Sequence, residues 1–415
     1  MHQKAFLSLF FCLALSLLAA SPKPGDPDFV PLTSWGHNIW LSVPLTQKYF
    51  DDMAECGITI AGFANSLEEL DMMEKAGLRG WIIPEHSYED FWNNEVHEEK
   101  LHAAVAADVA AYSHHPALYG YFLQDEPIAN RFPKLKCLSD EFHRLDPAHK
   151  TYINLLPITV SGTRLLTKDW FDYVQQYVDA IHPDHIGYDY YGLPEEPNAI
   201  RPQFWKQLDG IRRISQENGL PFQTTLLTVG HLHYRIPTET DIFFQVYSAL
   251  LYGAKGILYF TYVNPRVSSY RHSPIDPWGN KTETWYALRT VNNTVHCLAS
   301  TLNRIDSTAV YHFQPGTPLE CENPPQEESL VLAAATPDDR LAVGEFRDRI
   351  NGDRYVMLLN KNLTKTLNAN GLKWRDDVNK ENLEVVSPYL PGERSAFRGE
   401  NAWIAPGQAL LIYVP

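Results

Sequence analysis

"PFQTTLLTVGHLHYRIPTETDIFFQVYSALLYGAKGILYFTY" runs from Pro221 to Tyr262, and its reading decides the fold. Phe222–Leu227 and Gly256–Tyr262 are short apolar runs of strand length, rich in β-formers. Between them, Glu239–Ala254 is long enough for a helix, and Glu239 suits its first turn, where acids favour the dipole. Strand, helix, strand is the repeating unit of a parallel sheet. Toward the amino terminus the alternation recurs. Further strands are predicted at Leu32–Trp35, Ile58–Phe63, Gly80–Pro84, Leu118–Gln124, Thr151–Leu155 and His185–Tyr190. Helical stretches lie between them, among them Glu98–His115 and Pro202–Gly219. Eight such units predict a (β/α)8 TIM barrel over residues 22–304. The alternative, a doubly wound open sheet, wants a Gly-rich phosphate loop after the first strand, and none is present.

From about Ile305 the pattern changes. "TAVYHF", "SLVLAAA", "LAVGEF", "RYVMLLN", "LEVVSPY" and "ALLIYV" are strand-like runs separated by turn signals such as "INGD" and "APGQ". They predict a small all-β sandwich over residues 305–415. Its Tyr and Trp residues are expected to pack against the barrel, with glycan binding as the alternative.

The 415 residues suit one large domain and one small one. A formal net charge of −15 argues against nucleic acid, which is bound by neutralising phosphates, and against anionic membrane surfaces. Lys4, the apolar run Ala5–Leu18 and the small residues Ala19, Ala20 and Ser21 read as a cleaved secretory signal over residues 1–21. The expectation is a secreted or periplasmic protein without a membrane anchor after cleavage; the apolar run is short for a bilayer. Cys56, Cys137, Cys297 and Cys321 fit no zinc spacing and are expected to be buried free thiols.

A barrel carries its active site at the carboxyl ends of its strands. The fourth strand ends "LQDEP", offering Gln124, Asp125 and Glu126; the third leads to Glu85 and His86. The sixth ends "GYDYYG", offering Tyr188, Asp189, Tyr190 and Tyr191. The seventh leads to His231 and His233, the eighth to Tyr262 and Asn264, and the first to Trp35, His37, Asn38 and Trp40. Carboxylates, amides and flat aromatic rings around one rim are the mixture that sugars need: ring faces to stack on and polar groups for hydroxyls. Cleaving a glycosidic bond takes a protonated acid at the leaving oxygen and usually a second carboxylate. Glu126 beside Asp125 suits the first role, because a neighbouring negative charge raises a carboxyl pKa.

The "EP" that ends the fourth strand resembles the "NEP" signature of clan A glycoside hydrolases, whose Glu is the acid/base; here Asp125 stands in place of the usual Asn. "DIFFQVYSALLYGAKGILYFTY" and "PWGNKTETWYALRTVN" resemble family 42-like glycosidase barrels, which also carry carboxyl-terminal β domains. The clan's nucleophilic Glu at the end of strand seven has no counterpart in "PFQTTLLTVGHLHY". "GYDYYG" is similar to the Tyr-Asp motif of family 18 chitinases, and the adjacent Asp-Glu pair to that of family 20 hexosaminidases. Both families use the substrate's own acetamido oxygen as nucleophile. That resemblance implies Glu126 as acid, Asp125 or Asp189 orienting the acetamido group, and Tyr188 bonding its carbonyl. Asp189 as nucleophile or base is a third possibility.

The expectation is a glycoside hydrolase acting on an oligo- or polysaccharide. Its catalytic residues are Glu126, Asp189 and Asp125. Its sugar contacts are Trp35, Asn38, Glu85, Gln124, Tyr188, Tyr190, His231, Tyr262 and Trp278, and it takes no metal or organic cofactor. The rivals are a non-catalytic glycan-binding protein on the same barrel, and a metal-dependent hydrolase using the rim histidines. The second would want an HxH after the first strand, which is absent.

Overall fold

The computed structural model describes residues 22–35, 43–87, 98–315 and 323–415. The amino-terminal segment, His37, Asn38, Trp40 and Cys321 lie outside the described residues. Eight parallel strands close into a barrel. They are β1 (Leu32–Ser34), β2 (Ile60–Ala64), β3 (Arg79–Ile82), β4 (Leu118–Asp125), β5 (Lys150–Leu155), β6 (Ile186–Asp189), β7 (Phe222–Leu227) and β8 (Gly256–Phe260). Pairing of Leu32 with Ile257 and Thr33 with Leu258 shuts the ring between β1 and β8. The helices Glu98–Tyr112, Phe204–Asn218 and Glu239–Leu251 lie where the sequence predicts helical stretches. Glu239–Leu251 starts with a reciprocal capping box between Thr238 and Asp241, with Glu239 in its first turn. Among the described residues no helix is long and apolar enough to cross a membrane.

The barrel's bore is filled with rings, which is what a small parallel barrel requires to avoid an empty centre. Trp81 meets Tyr119 edge-on at 4.9 Å and Tyr152 at 5.3 Å, and Phe63 lies 4.1 Å from Phe122. Trp35 closes the stack from above, edge-on to Phe63 at 4.8 Å and to Phe122 at 5.7 Å. On β6, Gly187 makes room for one of these rings: a Cβ there would lie 2.4 Å from Tyr152 Cε2.

The carboxyl-terminal region is a six-stranded antiparallel sheet ordered Arg394–Ala396, Glu384–Val386, Ala409–Val414, Arg354–Asn360, Leu341–Asp348 and Ile305–Phe313. Two short ribbons accompany it: Val331–Ala333 with Lys373–Trp374, and Leu367–Asn368 with Trp403–Ile404. The period-2 alternation of a strand serves both faces. Tyr355, Met357 and Leu359 join the core shared with the barrel, while Val356 and Leu358 join the core under the ribbons. Gly344 lets the sheet approach the helix Glu239–Leu251, since a Cβ would sit 2.6 Å from the Leu251 carbonyl oxygen. Lys255 ties the seam by donating to the carbonyls of Leu302 at 2.8 Å and Ile305 at 2.6 Å. Cys56 is a buried free thiol, as expected; Cys137 is free but exposed and Cys297 half-buried, which corrects the expectation for those two.

Candidate active site

β4 decides which carboxyl enters the barrel mouth. Phe122 pairs with Tyr152 and both rings fill the bore, so simple alternation would aim Gln124 inward and Asp125 outward. The register shifts between them: Gln124 pairs with Ile153 and Asp125 with Asn154. This bulge leaves Leu123 as the extra residue and turns Asp125 toward the mouth. The chain then turns sharply. Glu126 has φ of 46°, the left-handed region that non-glycine residues seldom occupy, and its N–H donates to the Asn154 carbonyl at 2.8 Å.

Asn154, near the end of β5, is the hub. Its Oδ1 accepts from the Tyr152 hydroxyl at 3.0 Å and faces the Thr225 hydroxyl at 3.5 Å. That orientation leaves Nδ2 to donate to Asp125 Oδ1 at 3.0 Å and toward Asp189 Oδ1 at 3.5 Å. Asp189, the last residue of β6, is 5% exposed. Its carboxyl is in hydrogen-bond contact with that of Glu126. Two carboxyls therefore meet one amide, and the third, Glu126, meets Asp189.

Their electrostatics follow from crowding in a cleft. Asp125 and Glu126 are exposed residues at the mouth, while the protein packed beside each carboxyl disfavours its charge. Burial pushes Asp125 up to about 7, with the Glu126 charge adding to the rise and the Asn154 hydrogen bond opposing it. Burial likewise raises Glu126, while Arg164 and the hydrogen bond with Asp189 pull it back. Asp189 is pushed well above the carboxylate range by burial first, then by the charges of Glu126 and Asp125. Two carboxyls in contact each make the other's ionisation harder.

An aromatic wall stands beside the cluster. Tyr191 is stacked on Phe260 at 5.3 Å and meets the His231 ring edge-on at 5.5 Å. His231 is stacked on Tyr270 at 5.1 Å. Burial lowers its pKa to about 4, so its imidazole is neutral at pH 7. The three carboxyls all act electrostatically on the Tyr191 phenol.

Several candidates stand apart from the carboxyl cluster; the burial of Tyr188, Tyr190, Gln124, Tyr262 and Trp35 runs against their expected role as sugar contacts, while Glu85 and Trp278 are exposed. Tyr188 and Tyr190 alternate with Asp189 and so face the helices: Tyr188 lies edge-on to Trp170, and Tyr190 packs on Phe204. Gln124 is buried, level with the outward-facing Ile153, and its Oε1 has no partner. Tyr262 is wholly buried, with its hydroxyl accepting from Trp285 Nε1 at 3.1 Å. Trp35 is 5% exposed and plugs the bore. Glu85 is exposed, and its charge acts on His86 and Tyr112. Trp278 is exposed on the loop after β8, where its N–H donates to Asp276. His231 does stand at the wall.

Asn154, Tyr152, Thr225, Tyr191 and Arg164 were not among the selected candidates. Asn154 carried a legible signal: it lies two positions after Tyr152 on one strand, hence on the same face. Among the described residues the group that could hold a metal is Asp71, Glu74 and His115. There His115 Nδ1 accepts from the Ala117 N–H at 3.1 Å, so Nε2 carries the proton and donates to Asp71 at 3.2 Å.

No protein-family profile matches the chain. No curated protein matches it by sequence. Solved structures match in fold. A glycoside hydrolase family 5 structure from Bacteroides vulgatus aligns over 93% of this chain and 89% of its own, at 11% identity and a TM-score of 0.57. A family 39 glycoside hydrolase from Bacteroides cellulosilyticus aligns over 89% of this chain and 78% of its own, at 12% identity and a TM-score of 0.51. Of a beta-galactosidase from Marinomonas ef1 the chain spans only 60%, with 66% of this chain aligned, 13% identity and a TM-score of 0.44. At such identities the likeness is one of fold: glycoside hydrolases with a (β/α)8 barrel.

Proposed function

We propose that this chain is a glycoside hydrolase whose proton donor is Glu126. The observation that carries the reading is the contact between the Glu126 and Asp189 carboxyls at the barrel mouth, which favours one proton on the pair. One proton on two carboxyls provides an acid and a base in a single pair. A sugar entering the mouth parts them, and the proton that Asp189 holds in the free enzyme passes to Glu126. Glu126 then gives its proton to the glycosidic oxygen as the bond to the anomeric carbon breaks. The ionised Asp189 attacks that carbon and forms an ester. Water, deprotonated by Glu126, hydrolyses the ester and restores the pair. Asp125, held by Asn154, faces the positive charge that develops on the ring and stabilises it. Tyr191 and the neutral His231 supply the wall on which the ring rests.

The finer likeness to clan A extends to Glu126 and Pro127 and stops at β7. There Leu226 and Leu227 lead to Thr228 and Val229 with no carboxylate. That gap favours a second reading, a glycan-binding protein without turnover. The amino-terminal Ala5–Leu18 run supports export, so the substrate would be met outside the cytoplasm.

A panel of aryl glycosides and neutral oligosaccharides tests both readings. Turnover lost by about 10²–10⁴-fold in Glu126→Gln, with the circular dichroism spectrum unchanged, is the expected result. Glu126→Gln activity equal to wild type would remove Glu126 from the mechanism. Tight binding with no turnover by the wild type would select the second reading.

A further inference from the structure

A second cleft, of about 260 Å³, opens on the outer flank of the barrel where it meets the carboxyl-terminal sheet. Its floor is Phe243 and Tyr247 of the helix Glu239–Leu251, with Thr294 of the helix Glu283–Leu302. Two aromatic rings stand at its edge, Tyr389 at 74% exposure and Trp403 at 51%. A single exposed ring needs no explanation; two on one small cleft do.

Both rings are held outward by their local structure. Trp403 lies between Ala402 and Ile404, which are 0% and 1% exposed. With its neighbours turned into the core, strand alternation points Trp403 to solvent. Tyr389 sits on an ordered turn: Ser387 Oγ accepts the N–H groups of Tyr389 at 3.2 Å and Leu390 at 3.0 Å. The Ser387 N–H in turn donates to the Glu393 carbonyl at 2.9 Å. Little conformational freedom is left for a ligand to freeze.

Polar groups lie between the rings. Asn401 Nδ2 is used by Ser395 Oγ at 3.4 Å and the Ala396 carbonyl at 3.3 Å, which leaves its Oδ1 free to accept. Glu400 and Gln408 line the cleft too, and among the described residues their side chains make no hydrogen bond. No Lys, Arg or His lines it, so an acidic ligand would find no counter-ion. Flat rings with unused acceptors and an amide between them match a ring with C–H faces and hydroxyls. We infer that this cleft is a binding site for a neutral sugar unit of a polysaccharide, separate from the barrel mouth. Its volume falls below the ~300 Å³ at which pockets for larger ligands begin, which fits one ring and not a long segment.

The inference goes beyond the hydrolytic reading, because binding here needs none of the barrel's carboxyls. The full chain carrying Glu126→Gln is run on native gels containing mixed-linkage glucan, arabinoxylan or galactomannan, with polygalacturonate as the acidic control. At least one neutral polymer retards it, and adding Tyr389→Ala or Trp403→Ala weakens that retardation about tenfold. Trp403 belongs to a ribbon, so its variant is checked by thermal melting; Tyr389, on a turn, gives the independent reading. No retardation by any neutral polymer overturns the site, as does retardation that survives both substitutions. Turnover of a small aryl glycoside by the chain carrying Tyr389→Ala alone stays at the wild-type level. Failure of this cleft and failure of the hydrolytic reading therefore give different results.

Discussion

The carboxyls of Glu126 and Asp189 meet in a hydrogen bond at the mouth of the barrel, although the residues belong to the ends of different strands. Neither side chain alone would choose this. Asp189 is buried, and each added negative charge makes its ionisation harder. The contact persists because β4 and β6 are fixed on either side of Asn154, whose amide reaches both Asp125 and Asp189.

The surrounding protein pushes Asp125 up to about 7, which brings its charge change into the physiological range. The kcat/KM profile is expected to have a limb with a midpoint near pH 7 that Asp125→Asn removes or moves by about one pH unit or more. An identical limb in the variant would assign it to another group.

The products should retain the anomeric configuration. Glu126 and Asp189 are in contact, closer than the roughly 5–5.5 Å of a retaining pair; a sugar that parts them reaches that spacing before the roughly 6.5–9.5 Å of an inverting pair. Attack by Asp189 and attack by a substrate acetamido group both proceed through two displacements, so both retain. Proton NMR of the first-formed sugar decides the matter, and an inverted product would sink the proposed pairing. A requirement for an N-acetylated substrate would then separate the acetamido route from Asp189.

Removing the buried acid should stabilise the protein in a pH-dependent way. The folded pKa of Asp189 lies above its unfolded value. Below the unfolded value, about 3.9, both states are protonated and no penalty arises. As pH rises above it, the unfolded chain releases the proton that the folded chain keeps, so wild-type stability falls. Asp189→Asn is expected to raise Tm by about 2 °C or more at pH 8 and by less at pH 4, while abolishing turnover. A Tm gain no larger at pH 8 than at pH 4 would contradict the raised pKa.

Asn154 acts through its neighbours and is a positioning residue. Asn154→Ala leaves Asp125 without its donor and the Tyr152 hydroxyl without its acceptor. A fall in kcat of about 10–100-fold with little change in KM is expected, together with an upward shift of the pH 7 limb, because the lost hydrogen bond had lowered Asp125. A purely structural role would leave the limb in place.

The repeating elements were readable because each strand of the barrel is a short run of β-formers set off by turn residues. Phe222–Leu227 matches the reading at both ends. The strand-end rule also led to Asp125, Glu126 and Asp189, since no packing role explains acids at those positions. What alternation governs was legible in principle: once Asp189 faces inward, Tyr191 follows it and Tyr188 and Tyr190 do not. Gln124 was misread because nothing in "GYFLQDEP" marks the bulge; the register depends on the partner strand. Tyr262 was misread because β8 stops at Phe260, and past it the chain turns Tyr262 against Trp285.

The bulge at Leu123 also has a consequence for descent. Loss of the Leu123 codon would leave Phe122, Gln124 and Asp125 in unbroken register with Tyr152, Ile153 and Asn154, so plain alternation would still aim the acid inward. A change elsewhere that flattened the strand with Leu123 in place would instead turn Asp125 outward. Such a descendant would fall silent while every residue discussed for its chemistry remained in its sequence. The register of β4 against β5, and not residue identity alone, separates a working copy from an inert one.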